Sequence, residues 1–272
     1  MKIKQVLSAL EQFAPLPLQE SWDNAGLQIG LTEAEVSGAL LCLDVTEKVI
    51  DEAIAKGCNL VVSHHPLLFR GLKQVSDAND VQRTVRKAIK ADICVISMHT
   101  NMDNAQGGVN FKIAERLGAQ IPAPCYPLAS PFHLPSNALP TQPQEKVPMV
   151  LANLPQPLSA EAFIALVKER FGVKCAMCNE LLQRPIRKVA ICGGAGDFML
   201  DEAISQDADA FITGEMHYHQ YFGHEQQIQI CVIGHYESEQ FTTEIFQDII
   251  QKACPGVRTE IASTNTNPIV YV

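Results

Sequence analysis

The sequence predicts an α/β protein, with length for one large domain or two smaller ones, and three observations predict it. Apolar runs of strand length alternate with amphipathic helical patterns. The 272 residues exceed the usual span of one core and suffice for two. A single proline-dense stretch interrupts the alternation. Hydrophobic residues make up 47% and charged residues 19%, which is the balance of a globular chain rather than a disordered one.

Met1 to Phe13 places Ile3, Val6, Leu7, Leu10 and Phe13 on one stripe of a helix. Ala39 to Leu43 reads as a strand, after which Thr46 caps a helix carrying Val49, Ile50, Ala53 and Ile54 that stops at Gly57. Leu60 to Ser63 is the next strand. Asn79 caps a helix with Val81, Val85, Ala88 and Ile89, and Ile93 to Met98 returns to the sheet. Gly107 and Gly108 open a helix that ends at Gly118. Between residues 121 and 157 the pattern changes: ten of the sixteen prolines fall there and only Glu145 and Lys146 are charged, so no helix persists. This stretch reads as a connector with one short strand, Pro148 to Ala152, leading into a second domain.

Beyond it, Ser159 caps a helix through Phe171, Val189 to Cys192 is a strand, and Asp197 caps a helix through Ser205. Phe211 and Ile212, then Ile230 to Ile233, are strands. A long helix follows with Phe241, Ile245, Phe246, Ile249 and Ile250 on one face, and Pro268 to Val272 reads as a last strand. No repeat of solenoid length stands out.

The formal net charge of -9, with no Lys/Arg cluster, argues against general binding to nucleic acid or to anionic lipid. The N-terminal helix lacks the continuous apolar region of a signal peptide, and no stretch is long and apolar enough to span a bilayer, so a cytoplasmic location is expected. Nine cysteines at irregular spacing read as reduced thiols, mostly small core residues. Cys175 and Cys178 form one C-x-x-C, but no second ligand pair follows at zinc-knuckle spacing, and a structural role is expected.

Chemistry is expected where strands end, because open α/β sheets bind ligands outside the carboxyl ends of their strands. Leu60 to Ser63 runs into His64-His65, and Ile93 to Met98 into His99 and Asp103. Ala210 to Thr213 runs into Glu215, His217 and His219, and Cys231 to Gly234 into His235 and Glu239. Were these strands neighbours in one sheet, their tips would meet in one cleft. His235 and Glu239, four apart, share one face of a helix and can chelate one ion. A lone strand-end histidine is more often a hydrogen-bonded residue than a ligand, Asp103 alone could serve its loop, and Glu239 alone could be solvated. Adjacent His64-His65, taken with the other three, makes those readings harder to sustain together. Imidazole and carboxylate without thiolate suit zinc, iron, manganese, cobalt or nickel better than calcium, and the pattern leaves the choice open. Two carboxylates would offset half the charge of two divalent ions, leaving a spot that attracts anions. Asp44 follows the same strand-end rule but precedes a helix cap and is expected to serve the turn. Gly193-Gly194-Ala195-Gly196-Asp197 is read as a tight turn in preference to a phosphate cradle, being neither G-x-G-x-x-G nor a P-loop. No G-x-S-x-G elbow is present.

Four motifs, Glu20-Ser21-Trp22-Asp23-Asn24-Ala25-Gly26-Leu27, Ser63-His64-His65-Pro66-Leu67, His99-Thr100-Asn101-Met102-Asp103 and Gly234-His235-Tyr236-Glu237-Ser238-Glu239, resemble in content and order those of the NIF-three-like family, the GTP cyclohydrolase I type 2 homologues. The resemblance covers nearly the whole chain. It implies two interlinked α/β domains with central mixed sheets flanked by helices, one from residues 1–125 plus 230–272 and the other from 126–229. It also implies two divalent metal ions per subunit on His64, His65, Asp103, His235 and Glu239, and a toroidal homohexamer. The expected activity is that of a dinuclear metal-dependent hydrolase of a nucleotide or related small molecule. Its specific form would be GTP cyclohydrolase-like, with a metal-activated water attacking C8 of guanine. His99, Glu215, His217 and His219 are the candidates for proton transfer or for orienting ligands. The competing expectations are a phosphoesterase or other hydrolase acting on another small substrate, and a non-catalytic metal-binding assembly that senses or stores metal or docks a partner protein.

Overall fold

A computed structural model of the chain describes residues 1–122 and 145–272. The middle of the proline-rich connector, with the expected boundary at residue 125, lies outside the described residues. In chain order the elements are α1 (Ile3–Phe13), β1 (Gly26–Ile29), β2 (Ala39–Cys42), α2 (Glu47–Ala55), β3 (Leu60–Ser63), α3 (Asp80–Lys90), β4 (Cys94–Ser97), α4 (Thr100–Asp103) and α5 (Val109–Leu117). There follow β5 (Val150–Leu158), α6 (Ala160–Phe171), β6 (Met177–Cys178), β7 (Ile186–Cys192), α7 (Leu200–Ser205), β8 (Ala210–Thr213) and β9 (Gln229–Val232). The last are α8 (His235–Glu239), α9 (Thr242–Ala253) and β10 (Thr259–Ile261). These form two α/β units, each around a five-stranded mixed sheet.

The first unit comprises, among the described residues, Met1–Gly108, 145–146 and Thr242–Pro268. Its sheet has the order β1-β4-β3-β2-β10, in which β10, β2, β3 and β4 run parallel and β1 closes one edge antiparallel. Every residue of β2, β3 and β4 is buried, as expected of parallel strands covered on both faces. Leu40, Val61 and Val95 pack with Val49 and Ile50 of α2 and Val85 and Ala88 of α3. Burial of each of these valine, leucine and isoleucine side chains contributes about 1.5–3 kcal/mol. The Thr46 and Asn79 side chains accept from the backbone N–H groups of Val49 and Gln82, so both expected caps form.

The second unit comprises 109–122, Val147–Phe241 and Ile269–Val272. Its sheet order is β5-β7-β8-β9-β6, with β7, β8 and β9 parallel and both edges antiparallel. Ala190, Phe211, Ile230 and Val232 form its core with Leu200 and Ala203 of α7. Ser159 caps α6 as expected, accepting from the N–H of Ala162.

Three expectations are corrected. Residues 109–122, 230–241 and 269–272 group with the second unit and 145–146 with the first, β9 pairing with β8 and β6. Asp197 does not cap a helix: it begins a single 3-10 turn before α7, and its carboxylate accepts from His217 instead. Pro268 to Val272 is not a strand; the C-terminal strand is β10, whose parallel register sets Thr259 beside Ala39. No helix among the described residues is long and apolar enough to cross a membrane.

Candidate metal-binding site

In the first unit the parallel register sets Ser63 beside Ser97, with their hydroxyls 2.7 Å apart. The residues that follow them therefore emerge together. His64 and His65 leave β3, His99 leaves β4, and their ring nitrogens lie within 4.8 Å of one another. Each ring is held from behind through Nδ1, which donates to an oxygen: His64 to the Met98 carbonyl at 2.9 Å, His65 to Asp44 Oδ1 at 2.7 Å, and His99 to Asp23 Oδ1 at 2.7 Å. An imidazole that donates through Nδ1 carries its lone pair on Nε2, the arrangement of a metal-ligating histidine and its orienting partner. Asp103, at the end of α4, brings Oδ1 to 3.5 Å from His64 Nε2. α4 is a single turn started by the N–H of Asp103 on the carbonyl of His99.

The orienting carboxylates are themselves secured. Asp44 also accepts from Thr266 Oγ1 at 2.6 Å, and Asp23 from the N–H of Thr100 at 3.0 Å. Burial opposes ionisation of both, but the bonds from His65 and Thr266 at Asp44 and from His99 and Thr100 at Asp23 outweigh it. Both carboxyls are held below their ordinary range, Asp23 at about 2. The expectation that Asp44 serves its turn is therefore corrected: it orients His65.

Beside His99 the first unit opens a cavity of about 910 Å³ lined by Trp22, Asn24, Phe69, Leu72 and Ile89 among others. The rings of Trp22 and Phe69 each stand edge-on to His99 at 6.2 Å. Its volume falls in the range of small-molecule sites.

In the second unit, β8 and β9 deliver Glu215 and His235 in the same way. His235 Nδ1 donates to Glu215 Oε1 at 2.8 Å, and its Nε2 lies 3.1 Å from Glu239 Oε2 across the one turn of α8. Glu239 is buried. The turn after β7 supports this pair. Gly194 has φ +58°, and a β-carbon there would overlap the Glu239 carboxylate. The N–H groups of Gly193, Gly194 and Gly196 bond Asn110 Oδ1, Ser238 Oγ and Thr213 Oγ1, so the glycine turn is a scaffold rather than a phosphate cradle.

The expected ligands thus divide between two sheets rather than sharing one. His64, His65 and Asp103, joined by His99, gather in the first unit, while His235 and Glu239 gather in the second. Glu215 orients His235. His217 is largely exposed, and the Asp197 carboxylate bonded to it raises its pKa. His219 stacks edge-on with Tyr218, 5.2 Å between centroids. Sequence reasoning missed Asp44, Asp23 and Gly194 as parts of the site; Asp23 lies in the Glu20–Leu27 motif and Gly194 in the glycine turn after β7.

The family model Duf34/NIF3 (NGG1p interacting factor 3) matches residues 1–268. The chain belongs to the NIF3 family. Among its relatives, a Campylobacter jejuni protein named GTP cyclohydrolase 1 type 2 homolog is 29% identical over 273 residues, covering 100% of both chains. A Clostridium perfringens protein of the same name is 32% identical over 240 residues, 88% of this chain and 87% of that one. The crystal structure of Staphylococcus aureus protein SA1388 superposes with a TM-score of 0.85 at 28% identity, covering 100% of this chain and 99% of that one. A Bacillus cereus protein related to NIF3 gives 0.83 at 25% identity, over 100% and 99% of the respective chains.

Proposed function

We propose that this NIF3-family chain is a metal-dependent hydrolase of a nucleotide or related small molecule, in which His64, His65, Asp103, His235 and Glu239 hold two divalent ions. The observation that carries this reading is the common anchoring of His64, His65 and His235. Each gives Nδ1 to a fixed oxygen and turns its lone-pair nitrogen away from it, two of them toward a carboxylate, Asp103 or Glu239. The donor set of imidazoles and carboxylates suits zinc, iron, manganese, cobalt or nickel. Bound ions would supply Lewis acidity and an activated water. The chain's own residues then do the rest. Asp44 and Glu215 fix ring orientation, and His99, backed by Asp23, stands beside the Trp22–Phe69 cavity, where it can exchange a proton with a bound molecule.

The name carried by the relatives supports a GTP cyclohydrolase-like ring opening at C8 as the specific form. Metal-loaded protein incubated with GTP is expected to release formate, and an Asp103→Ala variant is expected not to. Equal release from both ends that form. A nucleotide and phosphoester screen with the same pair of proteins then decides between another hydrolase and a metal-binding assembly without turnover. We further infer a homohexamer, from the family resemblance, and a cytoplasmic location; sedimentation velocity of the full chain checks the first.

A further inference from the structure

The C-x-x-C of the sequence finds its partner across the second sheet. β6 is an edge strand of two residues, antiparallel to β9, and its register sets Cys178 directly opposite Cys231. Directly opposed residues in an antiparallel pair have Cα atoms about 4.5 or 5.5 Å apart, depending on the ladder position. Both values fall within the 4.4–6.8 Å, roughly, that a disulfide spans. Opposed residues also share a face of the sheet, so the two thiol side chains stand side by side. The pairing is pinned by Asn179, whose Oδ1 accepts from the N–H of Ile230 at 2.9 Å and from Gln229 Nε2 at 2.8 Å, and whose Nδ2 donates to the Ile228 carbonyl at 2.8 Å. The strand cannot slip without breaking all three bonds.

The two thiols are chemically unequal. Cys231 is fully buried, while Cys178 is half-buried on the edge strand and Cys175 is exposed. The neighbouring Cys231 thiol holds Cys178 below the ordinary thiol range, whereas Cys178 and burial push Cys231 up. Among the described residues, none of the metal-competent clusters contains a cysteine.

We propose that Cys178 and Cys231 are a dithiol site that reacts with low-molecular-weight disulfides to form a cross-strand disulfide. The Cys178 thiolate attacks one sulfur of the small disulfide, forming a mixed disulfide and releasing one thiol. Cys231 then loses its proton, attacks Cys178 Sγ and expels the second thiol. Two protein thiols are oxidised to one disulfide, and one small disulfide is reduced to two thiols. The attack falls on Cys178 because it is the more accessible of the two, and Cys231 resolves it because it stands directly opposite on the same face of the sheet. The site stands independently of any reading of the metal centre.

The test treats the folded full chain, in EDTA, with glutathione disulfide, blocks remaining thiols with N-ethylmaleimide, and maps peptides without reduction. The expected result is a loss of two thiols and a peptide linked through Cys178 and Cys231. A Cys231→Ser chain should instead accumulate a glutathione adduct on Cys178, and a Cys175→Ser chain should form the same bridge as the wild type. Replacing Cys178 with Ser should slow thiol loss about ten-fold or more. Retention of all thiols in the wild-type chain, or a bridge between Cys175 and Cys178, would overturn the proposal, and neither result depends on a variant folding.

Discussion

Gly194 lies against the end of the Glu239 side chain: a β-carbon on the glycine would overlap Oε1 of the carboxylate, which would have to shift and is itself 3.1 Å from His235 through Oε2. Gly194→Ala therefore imposes two costs, one for φ +58° and one for moving Glu239. Gly223, with φ +82° and open space around it, separates them. Gly223→Ala should cost about 1 kcal/mol from backbone strain alone. Gly194→Ala should cost more in chemical denaturation and should also lose metal on dialysis, while Gly223→Ala keeps it. Equal metal content in the two variants would separate Gly194 from the site.

Asp44 and Glu215 play equivalent parts, each accepting the Nδ1 proton of a histidine that leaves Nε2 for a metal ion. Removing such an orienting carboxylate weakens metal binding by about 10- to 100-fold without removing a ligand. Asp44→Ala and Glu215→Ala should each show this loss in a chelator-competition titration. Asp197→Ala, which removes an acceptor from the exposed His217, should leave metal affinity unchanged.

The residues that sequence reasoning found and missed differ in a physical way. β2, β3, β4, β8 and β9 are short, wholly buried runs, and Thr46, Asn79 and Ser159 are capping residues in fact, so the parallel framework was legible. β1, β6 and β10 are sheet edges with mixed or little burial, and four residues or fewer carry no period. Ile269 and Val270 have strand composition, yet they are exposed and belong to neither sheet. In the site, His64, His65, His235 and Glu239 announced themselves by type and spacing. Asp44, Asp23 and Gly194 did not, because a carboxylate after a strand and a glycine in a turn each have a common local explanation. Their roles depend on partners 21, 76 and 45 residues away in sequence.

Glu52 provides a pH-dependent clamp on the C-terminal segment of the first unit. It accepts from the N–H and hydroxyl groups of Ser263 and Thr264 and pairs with Lys56 at 2.9 Å. Burial opposes its ionisation, but the Ser263 and Thr264 bonds and Lys56 outweigh it, and the carboxyl is held well below the usual glutamate range. A carboxyl depressed in the folded state stabilises at pH above its unfolded value and loses that contribution as pH falls toward the folded value. Glu52→Gln should therefore cost about 2 kcal/mol at neutral pH. The difference from wild type in urea midpoint should hold from pH 7 to about 5 and shrink below about 4. A difference that stays constant to low pH would show that the charge contributes nothing.

Trp22 is the single tryptophan of the chain, and its ring lies 6.2 Å from that of His99, which lies 5.3 Å from that of His64. All three belong to the first unit, so the indole reports on ions held by His64 and His99. Cobalt and nickel have partly filled d shells that drain an excited indole at such distances, and zinc, with a filled shell, does not. Titrating chelator-stripped protein with cobalt should quench the emission to a saturating end point, zinc should compete the quenching away, and zinc alone should leave the intensity nearly unchanged. His64→Ala should abolish the saturable quenching while His219→Ala retains it. A linear, non-saturating response in the wild type would mean collisional quenching of an exposed ring, and the first-unit histidines would then hold no ion.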